Sequence, residues 1–420
     1  MTQSIPNETA DSLAQGSAAR CPIDHSQWSQ QKTARTAEPL AAPDIECDEV
    51  GLWHVRGFNE ARTILRHSDT KQAGFNAELL EKVSSQMQNR PIIYQEGKEH
   101  QLQRKQTARF FTPKTVSSNY RQLMERLVNR QLKQLKRKKE ADLSQLSLGL
   151  AVRVAAEVVG LTDSRLPGMA KRLEAFFDND PTAFGKSPRA IMKLVLSQAR
   201  VAAFFYLDVK PAIEVRKRQP REDVISHLLA QGYNDAEILT ECITYAAAGM
   251  ITTREFISVA AWHFLERPEL RDNYLAAPED ERFAQLAEVL RLEPVVGHLY
   301  RRATADLKIS SGGKEYAIPR GALIDVSIHG ANTDETVVGE QPLMLCPGRE
   351  LKGERVPGEL MGFGDGVHRC PGSYIAIQET DIFLQPLLSM DGLRIEQKPS
   401  VSWNKLVTGY EIRNFKIAVN

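Results

Sequence analysis

The chain has 420 residues, 42% of them hydrophobic and 25% charged, with a formal net charge of +1. That length can enclose an ample core, and the near-neutral balance excludes bulk nucleic-acid binding through a basic face. No apolar run approaches the roughly 18–20 residues that span a bilayer, and five cysteines without paired spacing fit a reducing cytoplasm better than an oxidising compartment. Residues 1–40 are rich in Gln, Ser, Thr and Ala without a hydrophobic signal core, and read as a flexible extension. Residues 41–420 read as a single domain with no repeat and no convincing linker. Within it, Trp53 to Val55 is a short strand, and Asn59 caps a helix through about His67. Residues 75–97 lack periodicity, and a helix then runs from near Lys98 toward Phe110, stopped by Thr112-Pro113. Helical patterns follow at about 115–138, 142–160, 189–217 and 222–231, with a loop at 178–185. The basic run from Gln134 to Lys139 reads as a solvated helix end. Asn234-Asp235-Ala236-Glu237 starts a helix that persists to about Leu265, unusually long for a globular protein. One more helix spans about 280–293 before Pro294, strands occupy 300–330 with a turn at 318–321, and the last fifty residues hold one helix and then β segments. The fold class is mainly α with a smaller β region.

The densest chemistry lies in Phe363-Gly364-Asp365-Gly366-Val367-His368-Arg369-Cys370-Pro371-Gly372. A cysteine becomes a soft metal ligand only as thiolate, which requires positive potential and backbone donors nearby. The segment from Tyr374 reads as helix, so its first amides, with Gly372 at its start, point toward the sulfur. Gly364 and Gly366 permit the backbone angles of a loop lying close to a flat cofactor. Cys21, Cys47, Cys242 and Cys346 show no CxxC or Cys/His cluster and read as small hydrophobes.

This spacing of Phe363, Gly364, Gly366, His368, Cys370 and Gly372 resembles the haem-ligand loop of the cytochrome P450 family. Glu288-Val289-Leu290-Arg291 is similar to the family's Glu-x-x-Arg helix, whose pair takes a third arginine from a later meander; Arg349 is the candidate, with Arg355 as its rival. Ala247-Ala248-Gly249-Met250-Ile251-Thr252-Thr253 resembles the oxygen-activation segment, with Ala248, Gly249 and Thr252 in the catalytic positions. One departure stands out: Ile251 occupies the place usually held by an acid, which leaves proton delivery to the oxygen without its carboxylate. His100 and Arg104 resemble the family's His-x-x-x-Arg clamp on the haem propionates, and Arg301 and His368 match two further positions of that set.

The resemblance implies one P450 domain from about residue 45 onward, with haem b between the long central helix and the Cys-loop helix. It implies Cys370 as the axial iron ligand, Phe363 packed near its sulfur, and one oxygen atom of O2 inserted into a lipophilic small molecule. Ala247, Val295, Val296, His298 and Val407 are expected in the substrate pocket, with parts of 78–95, 173–185 and 406–408. Electrons would come from a separate ferredoxin and ferredoxin reductase, docking on a basic face that includes Lys105, Arg109, Lys114 and Arg369. A cytoplasmic monomer is expected. Two other readings stay open: a peroxide-using or non-oxygenating haem-thiolate enzyme, motivated by Ile251, and a haem-binding sensor without turnover.

Overall fold

The computed structural model describes residues 31–33, 42–75, 77, 88–177, 188–404 and 407–420. The rest of the N-terminal segment, the 178–185 loop, residues 78–87 and Leu406 therefore lie outside the described residues. The hydrophobic core divides into a helical cluster, on which Phe363 and Tyr374 pack, and a smaller sheet-based one that includes Leu360 and Met361. The central helix begins with a complete capping box: the Asn234 side chain accepts from the Glu237 amide at 3.0 Å, while Glu237 accepts from the Asn234 amide at 3.0 Å. It continues as Asp235–Tyr245, a π-helical stretch Ala246–Ile251 and Thr252–Glu266. Arg267 then leaves the helical region and Pro268 opens the next helix, Pro268–Ala276. That helix, the helix Met169–Phe177 and the short strands Ile45–Cys47 and Thr70–Gln72 were not legible from periodicity. The helices are two to three turns long and the strands three residues, too short for a repeating pattern.

The main sheet orders its strands Ile45–Cys47, Trp53–Val55, Leu323–Ser327, His298–Ala303, Thr70–Gln72. Strand Trp53–Val55 runs parallel to Leu323–Ser327, and the other pairings are antiparallel. Two residues of the expected extension, Lys32 and Thr33, are firmly bound. The backbone N–H of Lys32 donates to Glu293 Oε1 at 2.7 Å, the Thr33 hydroxyl donates to Glu293 Oε2 at 2.5 Å, and the Lys32 ammonium pairs with Glu266. Glu293 is buried, and His263 is its other partner at 2.8 Å. A buried carboxylate must find donors, and the strap supplies them.

The irregular segment that precedes the Cys370 loop is tied to the helix Glu279–Leu292 by a buried ionic knot. Arg291, fully buried, donates to both carboxylate oxygens of Glu288 at 2.7 and 2.9 Å. Its remaining N–H groups reach the carbonyls of Asn332, Pro342 and Met344 at 2.8–2.9 Å. Arg349 joins through its Nε, 3.1 Å from Glu288 Oε1, and donates to the Val338 and Met344 carbonyls. Arg355 lies elsewhere, its carbonyl accepting from Arg62 at 3.3 Å. Removing one partner of such a knot strands the other charge in the interior, which costs about 3–5 kcal/mol; an exposed pair such as Lys308–Glu315 contributes at most about 1 kcal/mol. Arg291→Leu is therefore expected to lower the urea unfolding midpoint severely, and Lys308→Ala barely. Equal shifts in the two denaturation curves would contradict this assignment.

Candidate cofactor and active site

Cys370 sits on a loop whose shape needs its glycines. Gly366 has φ +67°, and a side chain there would run into the backbone carbonyl of Leu65. Asp365 accepts from the Gly366 amide at 2.6 Å and is held by Arg62 and Arg66, so the helix Phe58–Arg66 braces the loop from outside. The Cys370 amide closes the loop by donating to the Phe363 carbonyl at 2.9 Å, and the Phe363 ring packs against the helical core. Helix Ser373–Leu388 follows at once, with Gly372 as its N-cap. The protein around the half-buried thiol pushes its pKa up; the Gly372 N–H and the charges of Arg104 and Arg369 pull the other way without overcoming it. The polypeptide alone thus leaves the sulfur a thiol while easing its ionisation, and the charge of a bound metal ion would complete the deprotonation.

Beside this loop the four expected cationic residues come together from three segments. His100 and Arg104 lie on helix Gly97–Thr107, Arg301 on strand His298–Ala303 and His368 in the loop itself. The rings of His100 and His368 stack with centroids 4.2 Å apart, and Arg104 donates to the Arg369 carbonyl. At their centre is Glu96, which the sequence reading missed. It pairs with His368 at 3.0 Å and Arg301 at 3.7 Å, and it accepts from the Gln72 amide at 2.7 Å. Burial pushes the Glu96 carboxyl up, but His368, Gln72 and Arg301 together hold it below its ordinary value. Burial, then the charges of His368 and Arg104, press His100 down to about 4. Burial likewise lowers Arg104, Arg301 and His368. The His100 Nδ1 and Arg301 Nε are buried without a hydrogen-bond partner. A single carboxylate facing two guanidinium groups and two imidazoles leaves room in charge and in donors for further anionic oxygens, which is the chemistry of a porphyrin's propionates. The residues fit haem.

The central helix contributes a different surface. Ala248 is exposed and Ala247 and Thr252 half-buried, while Ala246, Met250, Ile251 and Thr253 around them are buried. This open patch coincides with the π-helical stretch Ala246–Ile251, a widening often found at functional sites. The Thr252 hydroxyl donates to the Ala248 carbonyl. Gly249 faces elsewhere: an added Cβ would meet that of Ala155, on helix Leu143–Val159, at 3.6 Å. Val295 and Val407 are buried, and their segments are joined where Val296 pairs with Gly409 and the Gly297 amide donates to the Thr408 carbonyl at 2.9 Å. His298 is joined to the same segment through its backbone, its carbonyl accepting from the Thr408 hydroxyl at 2.9 Å, while its ring turns to Asp325. Its Nδ1 lies 2.9 Å from Asp325 Oδ1, and strand alternation sets it on the face opposite Arg301.

A family model described as cytochrome P450 matches residues 284–399. The biotin biosynthesis cytochrome P450 of Bacillus subtilis (strain 168) is 28% identical over 350 residues, 80% of this chain and 82% of that protein. The nocardicin C N-oxygenase of Nocardia uniformis subsp. tsuyamanensis is 29% identical over 321 residues, 73% of this chain and 74% of that protein. Among solved structures, CalO2 superimposes with a TM-score of 0.72 at 20% identity, over 90% of this chain and 93% of that one. P450BioI bound to an acyl carrier protein ligated with hexadec-9Z-enoic acid gives 0.70 at 24%, over 90% and 94%. Family model, relatives and solved structures agree in making this chain similar to bacterial-type cytochromes P450. The chain is an oxidoreductase, a P450 monooxygenase, and its cofactor is haem. The enzyme class sets the sensor reading aside.

One buried acid links the two halves of this P450 site. Glu241, on the central helix, accepts at 2.9 Å from the Ile92 amide and at 3.0 Å from Gln103, on the helix of His100 and Arg104. Burial lifts its pKa from the ordinary 4.5 to about 7 against those two donors. The folded protein therefore keeps a proton that the unfolded chain releases above about pH 4.5. The stability this gives is present below that pH and is lost as pH rises to about 7, up to about 3 kcal/mol in all. In Glu241→Gln this component of the pH dependence should vanish, flattening the denaturation midpoint between pH 4.5 and 7.5 relative to wild type. An unchanged slope in the variant would show that Glu241 is not the group responsible.

Proposed function

We propose that this P450 holds haem b through Cys370 and uses it to place one oxygen atom from O2 on a lipophilic small molecule. The observation that carries the reading is the braced Cys370 loop, whose sulfur meets the Gly372 N–H beside a cationic cluster with orphaned donors. Bound there, haem would supply oxygen activation and oxygen transfer. His100, Arg104, Arg301 and His368 would hold its propionates, and Glu96 would keep His368 and Arg301 aimed at them. Phe363 would pack beside the sulfur and Gly372 would donate to it, keeping the ligand's electron density in check. Glu288, Arg291 and Arg349 fix the segment before the loop, so that the sulfur cannot drift.

On the oxygen side, Ala247, Ala248, Val295, Val296 and Val407 would form an apolar wall that binds substrate and excludes water. Thr252 would hold a proton at its Oγ1 by rotating from the Ala248 carbonyl toward the reacting oxygen. Lys105, Arg109 and Lys114 are exposed, and with Arg369 they support a basic face for an acidic electron donor, a ferredoxin served by its reductase. Residues 41–420 would form one domain, acting as a monomer. Among the described residues the cysteines are free and no helix is long and apolar enough to cross a membrane, which supports a cytoplasmic setting. A peroxide-driven reaction is the second reading, favoured by the buried Ile251 where an acid would assist proton delivery.

Reduced wild-type protein treated with carbon monoxide is expected to give the red-shifted band of thiolate-ligated haem, and Cys370→Ser to lose it. The same band in Cys370→Ser would overturn the ligand assignment. Turnover by ferredoxin, its reductase and reduced nicotinamide, with a substrate found by its spin-state shift, should exceed turnover by hydrogen peroxide; the opposite ranking would favour the second reading.

A further inference from the structure

Position 251 carries no acid, but two carboxylates approach it from other parts of the chain. Ile251 and Met250 line a narrow, partly open space of about 10 Å³ together with Glu174, Arg254 and Glu411, and Leu148 and Leu173 close its apolar side. That volume is the size of one water, and the polar lining offers the two to four partners a buried water needs. The lining is tied together by ion pairs. Arg254, buried, donates to Glu174 Oε1 at 3.1 Å and to Glu255 Oε1 at 2.8 Å. Glu255 in turn accepts from the Ile412 amide at 2.7 Å and from Arg413 at 2.8 Å, and Arg413 pairs with Glu411 at 3.0 Å. Two guanidinium groups thus face three carboxylates, leaving one negative charge over. The two outer carboxylates reach solvent: the Glu174 side chain is 20% exposed and that of Glu411 18%, against 3% for Arg254.

We propose that Glu174, clamped by Arg254, and Glu411 supply the carboxylate function that position 251 lacks, passing solvent protons through one water in this space to the widened turn that ends at Thr252. The assignment rests on the P450 reading above and adds a proton path specific to this chain. Each proton moves from solvent to a carboxylate, from the carboxylate to the water, and from there through a second water, held against backbone carbonyls of the π-helical stretch, to the Thr252 hydroxyl. That hydroxyl gives its own proton to the reacting oxygen and takes the new one in replacement. Two such protons, with two electrons from the redox partner, accompany the oxygen atom that leaves as water while its twin enters the substrate. The carboxylates end each cycle unchanged. A π-helical stretch suits the crossing, because its wider turn disturbs the regular hydrogen-bond ladder beside Ile251.

Two measurements on the haem-loaded, full-length enzyme test this. The first is coupling, the share of reduced nicotinamide recovered as product rather than as hydrogen peroxide. In the double variant Glu174→Gln/Glu411→Gln it should fall at least about tenfold, with an enlarged solvent deuterium isotope effect. Adding Ile251→Asp to that double variant should restore it. The thiolate carbon-monoxide band is the control: its loss in wild type would sink the underlying P450 reading, whereas an intact band with unchanged coupling in the double variant would overturn the proton path alone. Failure of Ile251→Asp to restore coupling would overturn it as well. The second measurement does not depend on turnover. A high-resolution crystal structure should place one ordered water in contact with Glu174, Arg254 and Glu411 in the wild-type protein and none in Leu148→Phe, which fills the space. A dry space in wild type contradicts the path.

Discussion

Positive charge held out of water is the constraint around which this molecule is built. Arg291, Arg301 and Arg254 are each at most 3% exposed, and each is a planar donor that must be satisfied where it lies. Arg291 is satisfied entirely within the protein, by Glu288 and three carbonyls, and so acts as a structural knot. Arg301 is not: one long contact to Glu96 leaves its Nε bare, next to a histidine nitrogen in the same condition. That difference separates a group that stabilises the fold from one that waits for an anion. The same loop geometry that brings His368 into the cluster also fixes Cys370, two residues later, so the proposed haem clamp and the proposed iron ligand are positioned by one structural decision.

The sulfur and its surroundings show how the work is divided between protein and cofactor. Burial alone disfavours a thiolate, and the Gly372 N–H and neighbouring arginines offset that only in part. A site left in this balance binds metal with release of a proton, and it keeps the free thiol unreactive until then. Across the site the division differs. The open patch at Ala248 and Thr252 is apolar apart from one hydroxyl, and the charges needed for proton supply lie behind Ile251 on other elements.

The contacts made by local sequence were legible and those made by distant segments were not. The Cys370 loop, the Glu288–Arg291 pair at i, i+3 and the His100–Arg104 pair at i, i+4 are written in spacing, and the spacing found them. The length of the central helix and its cap at Asn234 were readable for the same reason. Glu96 was missed because nothing next to it in sequence reveals that Arg301 and His368 converge on it. Glu174 was hidden similarly, since its partner Arg254 lies eighty residues along the chain. His298 was expected in the pocket from its place after Val295 and Val296; its carbonyl does meet Thr408, and the hold of Asp325 on its ring was the part that sequence could not reveal. The strap at Lys32 and Thr33 looked like loose chain because its composition is polar, and only the buried Glu293 explains why it is bound.

The central claim is that one sulfur, that of Cys370, meets the haem iron. Iron-edge X-ray absorption on the haem-loaded wild-type protein addresses this directly. One sulfur scatterer in the first coordination shell, absent in Cys370→Ala and unchanged in Cys346→Ala, is the expected result. A shell of nitrogen and oxygen alone in the wild-type protein, or a sulfur that survives the loss of Cys370, would contradict the account.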